Sequence, residues 1–389
     1  MVTEKIATLG RARVAVTLAF AAHGLLGAAW VARIPQIKEH LGLGEGAMGV
    51  ALLGAPVGVV AAVRFAGWII ARWGSRATTV AAGLAGAASL IPLGLAWNLG
   101  ALIVSLLLMG ASLGLMDVAM NAQGVAVERG YGRPLMSGLH GSYSVGTLLA
   151  ALVGAGAAHA GVPVPLHLAA ATAVLTVLLL TGCRGLLDRS ADALPEPAGD
   201  APATRAVSRW PLVMLGVIGL CSFVGEGAMA DWSAIYLREN LGTGPGAAGL
   251  GYAGCAVAMT VGRLSGDRVV ARFGPVPVLR AGSLVAALGL GLGLAAGDPT
   301  AAVAGFTLFG LGVAVVAPVT FSAAGNVPGV PAASGISAVT GVGYLGLLGG
   351  PPVIGFVAQG VGLTWALAVP VGLVGLIVLL APATATAER

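Results

Sequence analysis

Charge is what this chain has least of. Only 9% of its 389 residues are Asp, Glu, Lys or Arg, against about 25% in a typical soluble domain. A freely soluble monomer is therefore excluded. Aromatic residues are also scarce, at 5%. No stripe of basic and aromatic side chains is present that would track a nucleic acid. The three cysteines, Cys183, Cys221 and Cys255, lack metal-ligand spacing and do not make a disulfide framework. No Gly-x4-Gly-Lys-Ser/Thr phosphate loop, Gly-x-Ser-x-Gly elbow or His-Glu-x-x-His helix occurs, and the five histidines are scattered. An ATPase site and the common hydrolase sites are thus missing, and an enzyme is not expected. Neither a cofactor nor a metal is implied.

What is there is apolar. Hydrophobic residues make up 57% of the chain, and the mean hydropathy is +0.95. Runs of roughly 20 apolar residues read as membrane-spanning helices. In the first half they cover 14–32, 46–70, 77–97, 100–126, 135–159 and 165–183. In the second half they cover 211–236, 245–267, 276–296, 299–325, 333–358 and 363–381. The expected fold class is therefore an all-α membrane protein of twelve helices. The pairs Gly110/Gly114, Gly289/Gly293 and Gly346/Gly350 should let helices approach closely.

Twelve spans put both termini on one side, and the basic residues say which. With the N-terminus inside, only Arg33, Lys38 and Arg238 of the 20 Lys and Arg residues fall in external loops. That asymmetry predicts a cytoplasmic membrane protein with both termini cytoplasmic, and it accounts for the net charge of +5. Lys5, Arg11 and Arg13 ahead of an apolar run imitate a signal peptide, but the run continues to Trp30 and more spans follow. Arg outnumbers Lys 18 to 2, which points to a GC-rich bacterial genome.

The halves repeat. Lys38 to Gly54, KEHLGLGEGAMGVALLG, matches Arg238 to Gly254, RENLGTGPGAAGLGYAG, at eight of 17 positions with an offset of 200 residues. A half-chain repeat in an apolar chain is the mark of a secondary transporter. The one long polar stretch, 184–209, contains Pro195, Pro197 and Pro202 and reads as a flexible cytoplasmic linker. The expected organisation is a six-helix bundle over 1–183, the linker, and a second bundle over 210–389. A single chain holds both halves, so a functional monomer is expected.

Six plus six helices, a central linker and paired loops at matching positions resemble the major facilitator superfamily. The loop after the second helix carries its glycine- and arginine-rich signature in Gly67, Arg72, Gly74 and Arg76. Ala71 stands where that family has an aspartate. The second-half copy, Gly262 through Gly274, fits with a one-residue shift and supplies Gly266, Asp267, Arg268 and Arg272. These loop residues are implied to act in conformational change. The stretch Asp117–Gly146 and the seventh-helix segment Glu226 to Trp232 resemble the fucose-permease-like branch, whose sugar permeases couple to protons through acids. Asp117 matches the acid that this branch carries on helix 4, whereas helix 1 offers only His23. The Gly-Pro element Gly346 to Pro352 in helix 11 reads as bend and packing.

Ionisable side chains inside a span are costly, so each that occurs is informative. Asp117 has Asn121 one turn along the fourth helix, and His140 should sit at the same depth on the fifth. The pair implies proton coupling or substrate hydrogen bonding, or else a structural lock between helices. Glu226 in the seventh helix is the leading proton carrier, read as an unpaired intramembrane carboxylate. His23, nearly one repeat earlier, is a second. Arg33 and Asp231, at the outer ends of helices 1 and 7, are candidates for a gating bridge. Trp30 and Trp232 lie beside them, and Trp30 reads as an interfacial anchor.

The function these features imply is secondary active transport of a small solute by alternating access. Proton coupling and a sugar-like substrate are the expectation. A drug/proton antiporter and a non-transporting sensor or scaffold are the alternatives. The expected partners are the solute, protons and the lipid bilayer.

Overall fold

The computed structural model describes residues 2–43, 45–192 and 210–388. Most of the expected linker, 193–209, lies outside these residues, as does Gly44 of the repeat. Among the described residues, twelve long helices organise the fold: α1 Val2–Ala28, α2 Gly54–Trp73, α3 Ser75–Gly94, α4 Leu99–Tyr131, α5 Met136–His159, α6 Val164–Gly182, α7 Trp210–Ile235, α8 Leu250–Phe273, α9 Pro275–Ala295, α10 Pro299–Val313, α11 Ala332–Val361 and α12 Ala368–Leu380. Among the described residues no strand occurs. Among the described residues, eleven segments are long and apolar enough to cross a membrane. The remaining long helix, α8, has the length but carries Arg263, Asp267, Arg268 and Arg272.

Four expected spans are broken. The run 46–70 divides into Glu45–Leu52 and α2. The run 245–267 divides into Pro245–Ala248 and α8. The run 299–325 divides into α10 and Val316–Gly325. The run 363–381 divides into Leu363–Ala366 and α12. The break after α10 has a local cause: Pro318 has no N–H to give the carbonyl of Ala314 four residues back.

The chain forms two compact units. One holds 1–132, 142–197 and 331–337; the other holds 133–141, 198–330 and 338–389. In the first unit α4 packs on α1, α2 and α3, and α6 packs on α1 and α3. In the second, α10 packs on α7, α8 and α9, and α12 packs on α7 and α9. Each pairing has its counterpart six helices on. The first turns of α5 count with the second unit, and the residues opening α11 count with the first.

The repeat reaches into the caps and the core. Asn98 caps α4 by accepting the Ala101 amide at 2.8 Å, and Asp298 caps α10 by accepting the Ala301 amide at 2.9 Å. Each satisfies an amide that the first helical turn leaves without a partner. Gly74 and Gly274 end α2 and α8 at φ +85° and +79°, where a side chain would be strained. A Cβ at Gly110 would overlap the Ala55 carbonyl, and one at Gly310 would overlap the Cys255 carbonyl. Bare glycines thus let the backbones of α4 and α2, and of α10 and α8, touch. The other expected small-residue contacts are also present. Gly289 and Gly293 face Leu308 and Ala301, while Gly346 and Gly350 face Leu220 and Val224. Leu152, Val174, Leu292 and Leu379 stand exposed on the outside, as lipid-facing side chains must.

Candidate functional site

In the second unit an acid and a base meet inside the bundle. Glu226 in α7 accepts the Arg263 guanidinium of α8 at 3.2 Å and the Ser222 hydroxyl at 3.0 Å. The carboxylate read from sequence as unpaired is therefore paired, and Arg263 is the residue that reading missed. Arg263 falls within the expected span 245–267, and its side chain is only 9% exposed. Its Nε also donates to the Ala314 carbonyl at 3.3 Å. That carbonyl is the one Pro318 leaves without an intrahelical partner, so a helix break and a buried cation satisfy one another.

One turn further along α8, Asp267 grips the start of α5. Its two carboxylate oxygens accept the Ser137 and Gly138 amides, each at 2.8 Å. The Ser137 hydroxyl donates to the Arg263 carbonyl at 2.7 Å. An anion at a helix N-terminus satisfies orphan amides and complements the helix dipole. The first unit has the hydroxyl bond without the acid: Ser337 donates to the Val63 carbonyl at 2.6 Å. The 200-residue offset sets Asp267 against Gly67, not against Ala71. Gly67 packs against Ser334 instead, where a Cβ would come within 3.3 Å of its hydroxyl.

The loop after α2 is held by the segment that follows α6. Asp192 accepts the Ser75 amide at 2.8 Å, Arg189 donates to the Ala71 carbonyl at 2.7 Å, and Arg76 donates to the Arg184 carbonyl at 3.1 Å. Gln123 of α4 donates to the Ser75 hydroxyl at 2.6 Å and exchanges bonds with the Leu187 backbone. Neither Gln123 nor Asp192 stood out in the sequence; the only signal was their polarity in an apolar chain. Nearby Asp188 is exposed, and the Ser190 hydroxyl holds its carboxyl below the usual carboxylate range.

Among the expected site residues of the first unit, Asp117 and Asn121 come together on a stretch of α4 buried on all sides. The Asn121 amide donates to the Asp117 carbonyl at 2.8 Å and to its carboxylate at 3.2 Å, and Asn121 Oδ1 is left without a partner. His23 shares a hydrogen bond of 3.2 Å with the Leu113 carbonyl, and its ring lies 5.5 Å from that of Tyr143. His140 belongs to the second unit. There its Nδ1 lies 2.9 Å from the Met136 carbonyl, and its ring stacks on Phe321.

Arg33 is 2% exposed and donates to the Val162 carbonyl, and Asp231 is exposed on α7. Trp30 is likewise buried, at 5% exposure, so it is a packing residue and not an interfacial anchor. The three cysteines are free and buried.

Comparison with known proteins agrees with this architecture. Residues 15–268 match the family model of the Major Facilitator Superfamily. The chain is 39% identical over 378 residues to an uncharacterised MFS-type transporter of Yersinia pestis, covering 96% of this chain and 95% of that one. It is 32% identical over 353 residues to the membrane protein MosC of Rhizobium meliloti, covering 91% and 85%. Among solved structures, the E. coli fucose:proton symporter FucP superposes with a TM-score of 0.75 at 17% identity, covering 97% and 98%. The human organic anion transporter MFSD10 gives 0.76 at 16% identity, covering 96% and 99%. At those identities the solved structures establish the fold alone. The family match and the relatives go further: the chain belongs to the major facilitator superfamily of secondary transporters, which carry small solutes across membranes.

Proposed function

We propose that this chain is a proton-coupled symporter of a small polar, sugar-like solute. It works by alternating access of two six-helix bundles, 1–183 and 210–389, joined by the 184–209 linker. The observation that carries the reading is the Glu226–Arg263 pair at 3.2 Å inside the second bundle. A proton and a guanidinium compete for one carboxylate. When Glu226 is protonated, the Coulombic hold on Arg263 is lost and the Ala314 carbonyl remains to it. The backbone of Arg263 accepts from Ser137, and Asp267 one turn on holds the start of α5. Proton occupancy at Glu226 thereby bears on the grip that α8 has on α5.

Asp117 and Asn121 supply the solute's hydrogen bonds in this reading, with the free Asn121 Oδ1 as an acceptor. His23 and His140 are further polar contacts in this reading. Gly67, Arg72, Gly74, Arg76, Gly266, Asp267, Arg268 and Arg272 form the loops that move. The protein sits as a monomer in the bacterial cytoplasmic membrane with both termini inside, as the distribution of its basic residues favours. The likeness in fold to a fucose:proton symporter supports the same mode of coupling.

The test is uptake by proteoliposomes across sugars, polyols and lipophilic cations, with and without an imposed pH gradient. Glu226→Gln and Asp117→Asn run in parallel. Gradient-driven flux of one polar solute that Glu226→Gln abolishes supports the proposal. Flux of cations alone in exchange for protons makes the protein an efflux antiporter. No flux, with both variants like wild type, makes it a sensor or scaffold.

A further inference from the structure

A buried cation with no counter-charge among the described residues lies in the first unit, apart from the Glu226–Arg263 pair. Past the end of α1 the chain makes a 3-10 turn, Val31–Arg33, and a short helix, Ile34–His40. Arg33 is 2% exposed, and only its Nη2 has a partner, the Val162 carbonyl. Its Nε and Nη1 have none. A guanidinium cannot escape burial by losing its proton. A charge left unpaired in a low-dielectric site is strongly unfavourable.

Arg33 lines a cavity of about 350 Å³ together with Gln36, His40, Ala158, Val162, Pro163 and Val164. No residue lining that cavity is acidic. Gln36 Oε1 is unpartnered there too, and a half-turn of the amide would present its NH2 instead. The cavity also meets the N-terminus of α6, which has Pro163 at its cap position and no side-chain cap. The positive end of that helix dipole adds to the guanidinium. His167, 7% exposed with an unpartnered Nδ1, follows one turn on.

We propose that this cavity is an oxyanion site. A carboxylate or phosphate group bound there accepts from Arg33 Nε and Nη1 and faces the amides that open α6. The group comes from a free solute anion or from an acidic phospholipid headgroup. The chemistry is the same, and the test separates the two. The site is independent of the proton-coupling reading, since none of its residues takes part in that scheme.

The experiment is thermal unfolding of the full-length protein in detergent. Sodium phosphate and sodium acetate are titrated against sodium chloride at equal ionic strength. A second arm compares phosphatidylcholine alone with phosphatidylcholine containing phosphatidylglycerol. A saturable rise in melting temperature with phosphate or acetate, beyond that with chloride, identifies a free oxyanion. A rise with phosphatidylglycerol only identifies the headgroup. Either rise should vanish in Arg33→Met. Because that variant also removes a structural bond, Ala158→Phe, which fills the cavity and keeps Arg33, should abolish the rise as well. No rise in either arm with the wild type, or an equal rise in a folded Arg33→Met or Ala158→Phe protein, overturns the site and leaves ordered water as the partner of Arg33.

Discussion

The Ser137 hydroxyl donates to the Arg263 carbonyl at 2.7 Å. The bond has a twin 200 residues on, from Ser337 to the Val63 carbonyl at 2.6 Å. The two bonds share geometry but differ in what surrounds them. Beside Ser137 stands Asp267, which accepts two amides; beside Ser337 the matching position is Gly67. The repeat is thus broken at one side chain, and the start of α5 is held by a charge where that of α11 is not.

Removing that charge should loosen α5. Asp267→Ala leaves the Ser137 and Gly138 amides without their acceptor, at a cost of about 1–2 kcal/mol, the range for losing a helix cap. Ser337→Ala should cost less, since its hydroxyl bond is neutral. Chemical denaturation of both variants in detergent checks the order. An equal or larger effect of Ser337→Ala would show that the acid is not what holds α5.

The Glu226–Arg263 pair should behave as a coupled unit. Glu226→Gln and Arg263→Met each leave a partner behind in the bundle. The double variant should therefore be more stable than the sum of the single losses predicts, by about 0.5–3 kcal/mol. Three unfolding curves beside the wild type measure this, and simple additivity would argue against the pair as a switch.

Glycine placement makes a sharper contrast. Gly110→Ala and Gly310→Ala push a methyl into backbone carbonyls that cannot turn aside, and overpacking of this kind costs about 1–3 kcal/mol. Gly156 in α5 has open space where its Cβ would go. Gly156→Ala should be neutral or stabilise by up to about 1 kcal/mol through helix propensity. Melting temperatures of the three proteins decide it; similar losses in all three would discount the close approach.

The α2–α3 loop should depend on residues far away in sequence. Asp192→Ala removes the acceptor for the Ser75 amide and should cost about 1 kcal/mol, as loss of a helix cap does. Gln123→Leu severs the ties to Ser75 and Leu187 together and should increase proteolytic cleavage after Arg184 and Arg189. Limited trypsinolysis reads this directly, and an unchanged cleavage pattern would mean that Gln123 does not hold the segment.

Much of the fold was legible because a spanning helix is written in consecutive residues. About 20 apolar positions in a row suffice to specify it. The offset of 200 then predicted which elements would match, and Asn98 with Asp298, or Ala55–Gly110 with Cys255–Gly310, bear that out. The break in α10 was less visible, although Pro318 was its warning. The site was legible only as a set of types. Asp117 and Asn121 sit one turn apart on a single helix, so sequence spacing alone brings them together. Glu226 was singled out as an intramembrane acid but given no partner.

The chain by itself determined the number of long helices, their order, the repeat and the membrane setting, because these follow from local hydropathy and from comparing the chain with itself. Tertiary structure alone decided the pairings: Glu226 with Arg263, Asp267 with the amides of α5, Arg33 with Val162. In a helix apolar all round, no polar face announces which side meets a neighbour. A buried charge then takes whichever partner the packing of the helices brings within reach.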